Sequence, residues 1–451
     1  MLSINPATDE VIAEYVEDSA TVLDEKLHTA AIAAPVWRTT PVAERARLLE
    51  RTAQVLESRR EELARLMTAE MGKPIREARA EVDKCAWVCR YYAEHGPAFL
   101  ASEQVTTDAR QSYVRFDPLG VVLAVMPWNF PLWQVFRFAA PTLVAGNVGL
   151  LKHASNVTGC ALAIASVFRD AGAKEGVFTT LLVGGQRVAS VIADRRVAAV
   201  SLTGSTPAGR EVGKAAGAAL KPSLLELGGS DPFIVLADAC LDDAIKGAVL
   251  GRHINGGQSC IAAKRLIIEA PIYDAFVARL EAAIRALRLG DPQEEGTDVG
   301  PLARPDLVVD LQHQVAGSIR AGARCLVGGQ KLPGPGCFYP PTLLVDVVPG
   351  MSVFDEETFG PVTAVTRARD VEEAVELANA TPFGLGASVW TRRERGGELA
   401  ARLDAGHVAV NGIVKSDPRL PFGGVKESGY GRELARYGLL AFVNIKSVWL
   451  G

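Results

Sequence analysis

Between Gly120 and Leu227 the chain alternates short apolar runs with stretches of helical periodicity. The apolar runs are Val121–Met126, Val148–Leu151, Thr179–Val183, Val197–Leu202 and Ser223–Leu227. Helical patterns fill the intervals at about 132–145, 156–170, 186–193 and 207–219. Strands that alternate with helices in this rhythm form βαβ units, which build a parallel sheet covered on both faces. The pattern predicts a doubly wound α/β domain with ligand sites at the carboxyl ends of its strands.

A second alternation of the same kind follows, from about 228 to 424. Its strand-like runs are Phe233–Leu236, Arg265–Glu269, Val362–Thr366, Ala387–Trp390 and Val408–Val410. Ahead of the first domain, residues 21–95 have apolar positions at three- and four-residue spacing, which predicts helices. Residues 103–116 alternate like an exposed hairpin, and 441–450 form a final β-prone run. We therefore expect two α/β domains and a small β extension.

The composition is that of an ordinary globular protein, and the net charge limits the kinds of binding partner to expect. The 451 residues are 48% hydrophobic and 22% charged, and the formal net charge is −4. This charge gives no reason to expect nucleic acid or an anionic membrane as a partner. No apolar run approaches the ~20 residues of a membrane span, and the first residues do not have the pattern of a signal peptide. Seven scattered cysteines predict neither a disulfide framework nor a metal site, and fit a reducing cytoplasm.

Cys260 is the candidate nucleophile. It follows a flexible Asn-Gly-Gly turn in the segment Asn255–Lys264, where a thiol lies beside a backbone N–H. A lone cysteine is more often a small buried hydrophobe, so the chemistry requires partners. His253 lies seven residues earlier, and nothing in the sequence sets it against the sulfur. A hydrolase with a Cys–His pair is therefore poorly supported.

Two other loops at strand ends provide such partners. Asn129 lies between two prolines directly after the first apolar run, and its amide can donate to an oxyanion. Glu226 ends another run before two glycines, and its carboxylate can act as a base. The alternatives are a turn asparagine bonded to its own backbone and a strand-end glutamate that faces water. Together the three residues suit attack of the thiol on a carbonyl carbon.

Seven motifs in order make the whole chain resemble the aldehyde dehydrogenase superfamily. Among its members the bacterial succinate-semialdehyde dehydrogenases are the most similar, through Pro127–Gln134, 150–156 and Leu225–Phe233. The motifs are Asn5–Thr8, Pro127–Pro131, Leu202–Ser205, Glu226–Gly229, Gly257–Cys260, Glu356–Pro361 and Pro421–Gly424.

The resemblance implies a fold and an assembly. The fold would be the aldehyde dehydrogenase-like α/β fold, with a dinucleotide-binding domain at 1–102 and 118–227 and a catalytic domain at 228–434. An oligomerisation extension would comprise 103–117 and 435–451. Edge strands of this kind join subunits in the family, which implies a homodimer or a homotetramer.

The resemblance also implies a reaction. Cys260 would form a thiohemiacetal with the aldehyde, whose hydride passes to nicotinamide and leaves a thioester. Asn129 would hold the oxyanion, and Glu226 would activate the water that hydrolyses the thioester. Glu433 would be a proton-relay carboxylate, with a helix-surface glutamate as the alternative.

Several residues would contact the dinucleotide. Glu357 and Phe359 would hold its nicotinamide end, and Lys152 would reach the adenine ribose. The other implied contacts are Trp128, Leu227, and Gly204 with Ser205 at a helix N-terminus.

Ser155 decides the predicted choice of dinucleotide. Relatives that prefer NAD usually have a glutamate at this position, three residues after Lys152. A neutral hydroxyl beside a lysine would accept a 2′-phosphate, which a carboxylate would repel. We therefore expect NADP to be preferred and NAD to be possible.

The substrate prediction rests on fewer residues. Arg137 and Ser416 occupy positions where semialdehyde dehydrogenases hold the far carboxylate of the substrate. An arginine on an apolar helix is costly to bury without an anion, although pairing with a glutamate would serve equally. Ile254 replaces a second arginine of some relatives, and Ala262 replaces their regulatory cysteine.

Two other readings of the function stay open. The substrate could be a neutral or aromatic aldehyde, or the acyl group could pass to coenzyme A. An inactive structural or binding protein on the same scaffold is a third reading, which the retention of Cys260, Glu226 and Asn129 disfavours.

Overall fold

The computed structural model describes residues 1–451. The strands are β1 Leu2–Ile4, β2 Val11–Glu14, β3 Glu103–Gln104, β4 Gln111–Pro118, β5 Val121–Met126, β6 Val148–His153, β7 Phe178–Thr180, β8 Val197–Thr203, β9 Ser223–Glu226, β10 Asp231–Val235, β11 Ala263–Glu269, β12 Arg324–Val327, β13 Thr342–Val345, β14 Val362–Ala368, β15 Gly386–Trp390, β16 His407–Val410, β17 Gly429–Tyr430 and β18 Val443–Leu450. The α-helices are α1 Ala20–Thr39, α2 Val42–Ser58, α3 Arg60–Met71, α4 Ile75–Phe99, α5 Trp133–Ala145, α6 Thr158–Asp170, α7 Val188–Ala193, α8 Thr206–Ala218, α9 Leu241–His253, α10 Tyr273–Arg285, α11 Pro305–Arg320, α12 Ser352–Asp355, α13 Val371–Asn379, α14 Arg393–Ala400 and α15 Ala435–Leu440.

The first sheet has six strands in the order β17-β9-β8-β5-β6-β7. Strands β5 to β9 are the five predicted apolar runs, and neighbouring members pair in parallel. The intervening helices α5 to α8 lie where the pattern predicts them, within a few residues. The order changes direction around β5, so β5 and β8 end side by side at the edge where ligands of such sheets bind. The predicted doubly wound α/β domain is confirmed.

The second sheet has seven strands in the order β12-β13-β14-β11-β10-β15-β16, and only the pair β12–β13 is antiparallel. The five predicted strands are β10, β11, β14, β15 and β16. The pattern missed β12, which is mostly exposed, and β13, which directly follows two prolines. β12 has neither an alternating nor a fully apolar run, so it gives no periodic signal, and the apolar run of β13 is too short to distinguish a strand from a helix segment.

The predicted β extension is a three-stranded antiparallel sheet in the order β18-β4-β3. β18 pairs with β4 along its whole length, from Val443 opposite Pro118 to Leu450 opposite Gln111. β3 is shorter than the predicted hairpin arm, because only Glu103 and Gln104 pair with β4. The outer strand β18 leaves Ile445 and Trp449 exposed.

Residues 411–434 carry the chain from the second sheet back to the first. Within this segment β17 pairs antiparallel with β9, and Gly429 stands opposite Glu226. The end of the predicted catalytic domain therefore closes one edge of the first sheet, while the predicted domain boundaries stay predictions. The predicted N-terminal helices are α1 to α4, and their apolar faces share one core of 72 buried residues with the first sheet. None of the α-helices combines the length and the apolar content that a membrane span would need.

Candidate active site

A tight loop connects α9 to β11 and presents Cys260. Asn255, Gly256 and Gly257 have φ values of 56°, 61° and 75°, so three consecutive residues adopt left-handed backbone. A Cβ on Gly257 would lie 2.3 Å from the carbonyl oxygen of Gly360, which no side chain could tolerate. The Asn-Gly-Gly sequence therefore lets the loop turn back against residues 357–361 immediately before the nucleophile.

Cys260 lines a cavity of about 180 Å³ between the two sheets' domains, most of whose walls are apolar. Burial raises the pKa of its thiol to about 12, although the nearby cations of Lys264 and Arg137 oppose the rise. His253 is not a partner for the sulfur: its Nδ1 lies 3.0 Å from the carbonyl oxygen of Val249, and burial lowers its pKa to about 4. The absence of a charged imidazole agrees with the predicted rejection of a Cys–His hydrolase.

Asn129 lies directly beside the nucleophile loop. Its Nδ2 donates a hydrogen bond to the carbonyl oxygen of Gln258 at 3.1 Å, two residues before Cys260. Its own carbonyl oxygen accepts one from Asn255 Nδ2 at 2.7 Å. Two buried side-chain amides thus tie the Asn129 loop to the Cys260 loop. This arrangement brings the predicted amide donor and the predicted nucleophile together.

Glu81 on α4 anchors the other end of the Asn129 loop. Its Oε1 accepts hydrogen bonds of 2.9 Å from the backbone N–H groups of Leu132 and Trp133, the first turn of α5. Its second oxygen forms a buried ion pair with Lys73. A carboxylate at a helix N-terminus is stabilised by the helix dipole and by the free N–H groups. Glu81 therefore fixes the Asn129 loop, a role with no short-range signal in the sequence.

Glu226 and Glu433 lie together with Arg137 in the interior. Glu226 is 1% exposed, and neither of its carboxyl oxygens has a hydrogen-bond partner. Burial raises its pKa well above the usual range, and the charge of Glu433 raises it further. Glu433 lies before α15, is buried, and forms an ion pair with Arg137. Glu433 is therefore not a helix-surface residue.

Glu226 is not among the residues that line the cavity of Cys260. Its carboxyl group is directed towards Gly423, where a Cβ would lie 2.7 Å from its Oε1. The glycine leaves the space that this carboxyl group occupies. In this conformation the predicted base and the predicted nucleophile occupy neighbouring but separate spaces.

The substrate-binding residues predicted from the sequence both line the cavity. Ser416 accepts hydrogen bonds from Trp133 Nε1 at 3.0 Å and from Lys84 Nζ at 2.8 Å. Arg137 reaches the same cavity, but its guanidinium pairs with Glu433, as the alternative interpretation of a buried arginine anticipated. The sequence gives no signal for Lys84, because one lysine on a long amphipathic helix resembles an ordinary surface residue.

Two residues predicted to contact the nicotinamide end of the dinucleotide, Glu357 and Phe359, lie in the segment that packs against the Cys260 loop. Glu357 Oε1 accepts a hydrogen bond from the Gly229 N–H at 3.0 Å and lies 3.3 Å from Lys264 Nζ. A Cβ on Gly228 would lie 2.3 Å from Glu357 Oε2, so a larger residue here would force the Glu357 carboxylate to move. Phe359 packs edge-on against Trp128, with ring centroids 5.6 Å apart. Phe359 therefore packs against the loop that contains Asn129, through Trp128 of that loop.

The predicted pyrophosphate site has the form of an anion site. Ser205 is the N-cap of α8, and its Oγ accepts from the Ala208 N–H at 3.4 Å. Gly204 ends the preceding turn after β8 and is partly exposed. Pro207 has no N–H and the Ala208 N–H is taken by Ser205, so the Thr206 N–H is the group at the start of α8 that remains for an anion. Leu227 packs on this helix, where a Cβ on Gly209 would lie 2.5 Å from its methyl groups.

Lys152 is the next-to-last residue of β6, and Ser155 begins the turn that follows this strand. Ser155 is exposed, and Lys152 is partly buried without an ion pair, so burial lowers its pKa. His153 is turned inward: its Nε2 lies 2.8 Å from the carbonyl oxygen of Pro131, and burial lowers its pKa to about 4. A 2′-phosphate here would meet the lysine and the hydroxyl, and His153 would contribute no charge.

Arg252 is a buried structural residue. Its guanidinium donates to backbone carbonyl oxygens of Thr358, Gly360 and Val362. It therefore does not replace the second substrate arginine of some relatives, and Ile254 lines the cavity at that position. A charged residue in the last turn of α9 gave no indication of this role.

Comparison with known proteins agrees with the geometry. The model of the "Aldehyde dehydrogenase family" matches residues 1–448. A probable succinate-semialdehyde dehydrogenase [NADP(+)] of Synechocystis is 54% identical over 449 residues, covering 99% of each chain. The succinate semialdehyde dehydrogenase [NAD(P)+] Sad of Escherichia coli is 51% identical, covering 99% of this chain and 97% of its own.

A solved structure has the same fold throughout. The succinic semialdehyde dehydrogenase of Streptococcus pyogenes, in complex with NADP+, superimposes with a TM-score of 0.97 at 36% identity. The match covers 100% of this chain and 99% of the other. The chain described here belongs to the aldehyde dehydrogenase family.

Proposed function

We propose that this enzyme oxidises succinate semialdehyde to succinate, with NADP as the preferred dinucleotide and NAD as a possible one. The observation that carries the proposal is the cavity itself, which combines Cys260 with cationic and hydroxyl side chains in otherwise apolar walls. A volume of about 180 Å³ is below the ~300–1,000 Å³ of pockets for drug-sized ligands, and suits a four-carbon substrate. The names of the full-length relatives at 51–54% identity support the same substrate.

The reaction has two steps, oxidation of the aldehyde to a thioester of Cys260 and hydrolysis of that thioester. Cys260 transfers its thiol proton to a base or to water, and its sulfur attacks the aldehyde carbon to give a thiohemiacetal. Asn129 Nδ2 and the backbone N–H of Cys260 stabilise the oxyanion that develops. The bound dinucleotide supplies the hydride acceptor. When the thiohemiacetal has lost its hydride and its hydroxyl proton, a thioester of Cys260 remains.

Hydrolysis of the thioester requires a base at the site. Glu226 takes a proton from water, which attacks the thioester carbon, and the Cys260 sulfur leaves with a proton as the acid forms. The pKa of Glu226 lies well above its usual range because of burial. Its carboxyl group must turn from Gly423 towards Cys260, and Glu433 with Arg137 offers a relay for its proton.

The preference for NADP rests on the end of β6. The Lys152 ammonium forms no ion pair, although the charge of Glu17 acts on it, and the Ser155 hydroxyl is exposed, so both can contact a phosphate. The open N-terminus of α8 fits the pyrophosphate, and Glu357 fits the hydroxyls of the nicotinamide ribose.

A panel of aldehydes assayed with both dinucleotides tests the function. Succinate semialdehyde should give a kcat/KM at least tenfold above that of butanal, and NADP should exceed NAD. The pairing of Arg137 with Glu433 favours a second candidate, a neutral aldehyde, because it removes one cation from the cavity. Equal use of butanal and succinate semialdehyde would support that candidate and refute the proposal.

We also propose that the enzyme forms a homodimer or homotetramer through the extension at 103–117 and 435–451, and that it functions in the cytoplasm. Support for the assembly comes from β18, an edge strand that exposes Ile445 and Trp449. Support for the compartment comes from the seven cysteines, all of them free thiols. Light scattering on the wild type and on Trp449→Lys would test the assembly.

A further inference from the structure

We propose that Lys84, held against Ser416, is the cation that binds the distal carboxylate of the substrate, in place of Arg137. This inference rests on the proposed function and assigns its specificity to a residue of α4. It concerns the part of the cavity formed by Lys84, Trp133 and Ser416, which we call the carboxylate pocket.

Arg137 has little charge to offer a second anion. Its guanidinium forms a buried ion pair with Glu433, and the exposed fractions of the two side chains are 2% and 5%. One guanidinium nitrogen also donates to Thr203 Oγ1 at 3.3 Å, and the group lies over the ring of Phe422. A substrate carboxylate would have to displace Glu433 or share its partner with it. Both alternatives leave a buried negative charge without compensation.

Lys84 is in the opposite situation. Its ammonium donates to Ser416 Oγ at 2.8 Å and lies 4.1 Å from the centre of the Trp133 ring, and it forms no ion pair. Burial and the charge of Arg137 lower its pKa to about 8. A partly buried cation without an anion is costly, so its position is explained if a ligand supplies the negative charge. An ammonium has three donors, and two remain after the bond to Ser416.

The carboxylates of the cavity wall cannot take the place of a ligand. Glu77 accepts a hydrogen bond from the Asn255 N–H at 2.5 Å, and burial raises its pKa to about 7. Glu81 is engaged by Lys73 and by the N-terminus of α5. Lys84 is therefore a half-buried cation of the cavity that forms no ion pair, although the charges of Glu81 and Asp417 act on it from a distance, and Lys415, the other lysine of the wall, is exposed.

Ser416 and Trp133 hold the ammonium in position. The Ser416 hydroxyl accepts from Lys84 and from Trp133 Nε1, so its own proton is free to donate to a ligand. The Trp133 ring attracts the ammonium through its π face. The pocket thus presents an ammonium and a hydroxyl to the same anion, across apolar walls from Cys260.

The test compares Lys84→Met, Lys84→Arg and Arg137→Met with the wild type. The readout is the ratio of kcat/KM for succinate semialdehyde to that for butanal, a neutral aldehyde of equal chain length. Loss of one partner of a buried, hydrogen-bonded charge pair predicts a fall in this ratio of about 30-fold or more in Lys84→Met. Lys84→Arg should keep most of the ratio. Arg137→Met should lower both kcat/KM values together and change the ratio much less.

Two controls separate binding from structure. Lys246→Met removes the same charge from an exposed residue of α9 that does not line the cavity, and its ratio should stay within about threefold of the wild type, because exposed charges are screened. Thermal unfolding should show that Lys84→Met is at least as stable as the wild type, since it removes a half-buried charge that forms no ion pair. A lower unfolding midpoint would indicate a structural role for Lys84 and overturn the proposal.

The outcomes distinguish this inference from the proposed function. A wild type without preference for succinate semialdehyde over butanal refutes the proposed function, and this inference with it. A wild-type preference that survives in Lys84→Met, or that is lost in Arg137→Met alone, overturns only the assignment to Lys84.

Discussion

Replacing Glu433 with glutamine would remove one charge from the buried group of Glu226, Glu433 and Arg137 at nearly constant volume. Arg137 would then be a buried cation without its partner. Breaking a buried ion pair in this way costs about 3–5 kcal/mol. At ~2.1 cal/mol/K per residue, the 451 residues give an unfolding entropy of about 0.95 kcal/mol/K. The midpoint of thermal unfolding should therefore fall by roughly 3–5 °C.

The same substitution should change the pH dependence of thioester hydrolysis. Burial and the charge of Glu433 both raise the pKa of Glu226, whereas Arg137 lowers it. Glutamine removes the repulsion and leaves the attraction of Arg137 unopposed, so the pKa of Glu226 falls. Because the ionised carboxylate is the base, the limb of the rate profile that rises with pH should move to lower pH. Rapid mixing separates the burst of reduced dinucleotide from the slower hydrolysis and gives the rate of each.

Matched variants make this test specific. Glu427→Gln breaks an exposed ion pair with Arg210, whose side chains are 44% and 68% exposed, and should cost only about 0–1 kcal/mol. Adding Arg137→Met to Glu433→Gln removes both charges and should recover part of the lost stability. A rising limb that stays in place or moves to higher pH in Glu433→Gln would refute the coupling of Glu433 to Glu226.

Three further substitutions test other parts of the site. Ser155→Glu should lower kcat/KM with NADP by about 100-fold and leave kcat/KM with NAD nearly unchanged, because it places a carboxylate against the 2′-phosphate. An unchanged ratio of kcat/KM with NADP to kcat/KM with NAD would contradict this. Asn129→Ala should lower kcat by about 10²–10³-fold at saturating substrate through loss of the oxyanion donor, and a loss below tenfold would exclude that role. Gly257→Ala should destabilise the protein by about 2 kcal/mol or more, because the residue has φ of 75° and its Cβ would contact Gly360. An unfolding midpoint equal to that of the wild type would contradict the last expectation.

The sequence pattern predicted the sheets because buried parallel strands are continuous apolar runs. It also singled out Asn129 and Glu226 as candidates, because polar residues at the ends of such runs stand out, and Cys260, because it follows an Asn-Gly-Gly turn; their catalytic roles stay predictions. It could not show which of them touch. Asn129 contacts the Cys260 loop, whereas Glu226 is turned towards Gly423.

Contacts between distant segments account for what the sequence left open. Arg137 pairs with Glu433, and Lys84 bonds to Ser416, 332 positions further along the chain. No local periodicity encodes such a pair, since each partner lies in an element with its own pattern. A single sequence could state only that a buried arginine needs an anion, with a substrate and a glutamate as equal possibilities. The structure shows that a glutamate is present.

Arg252 has a practical consequence for anyone who recombines these enzymes. Its guanidinium joins the end of α9 to the backbone of residues 358–362, while Gly257 packs on Gly360. The segments 252–260 and 357–362 are therefore a single cassette, although about a hundred residues separate them. A chimaera that takes one segment from another parent would lose this fit. Crossover points should be chosen so that both segments come from the same parent enzyme.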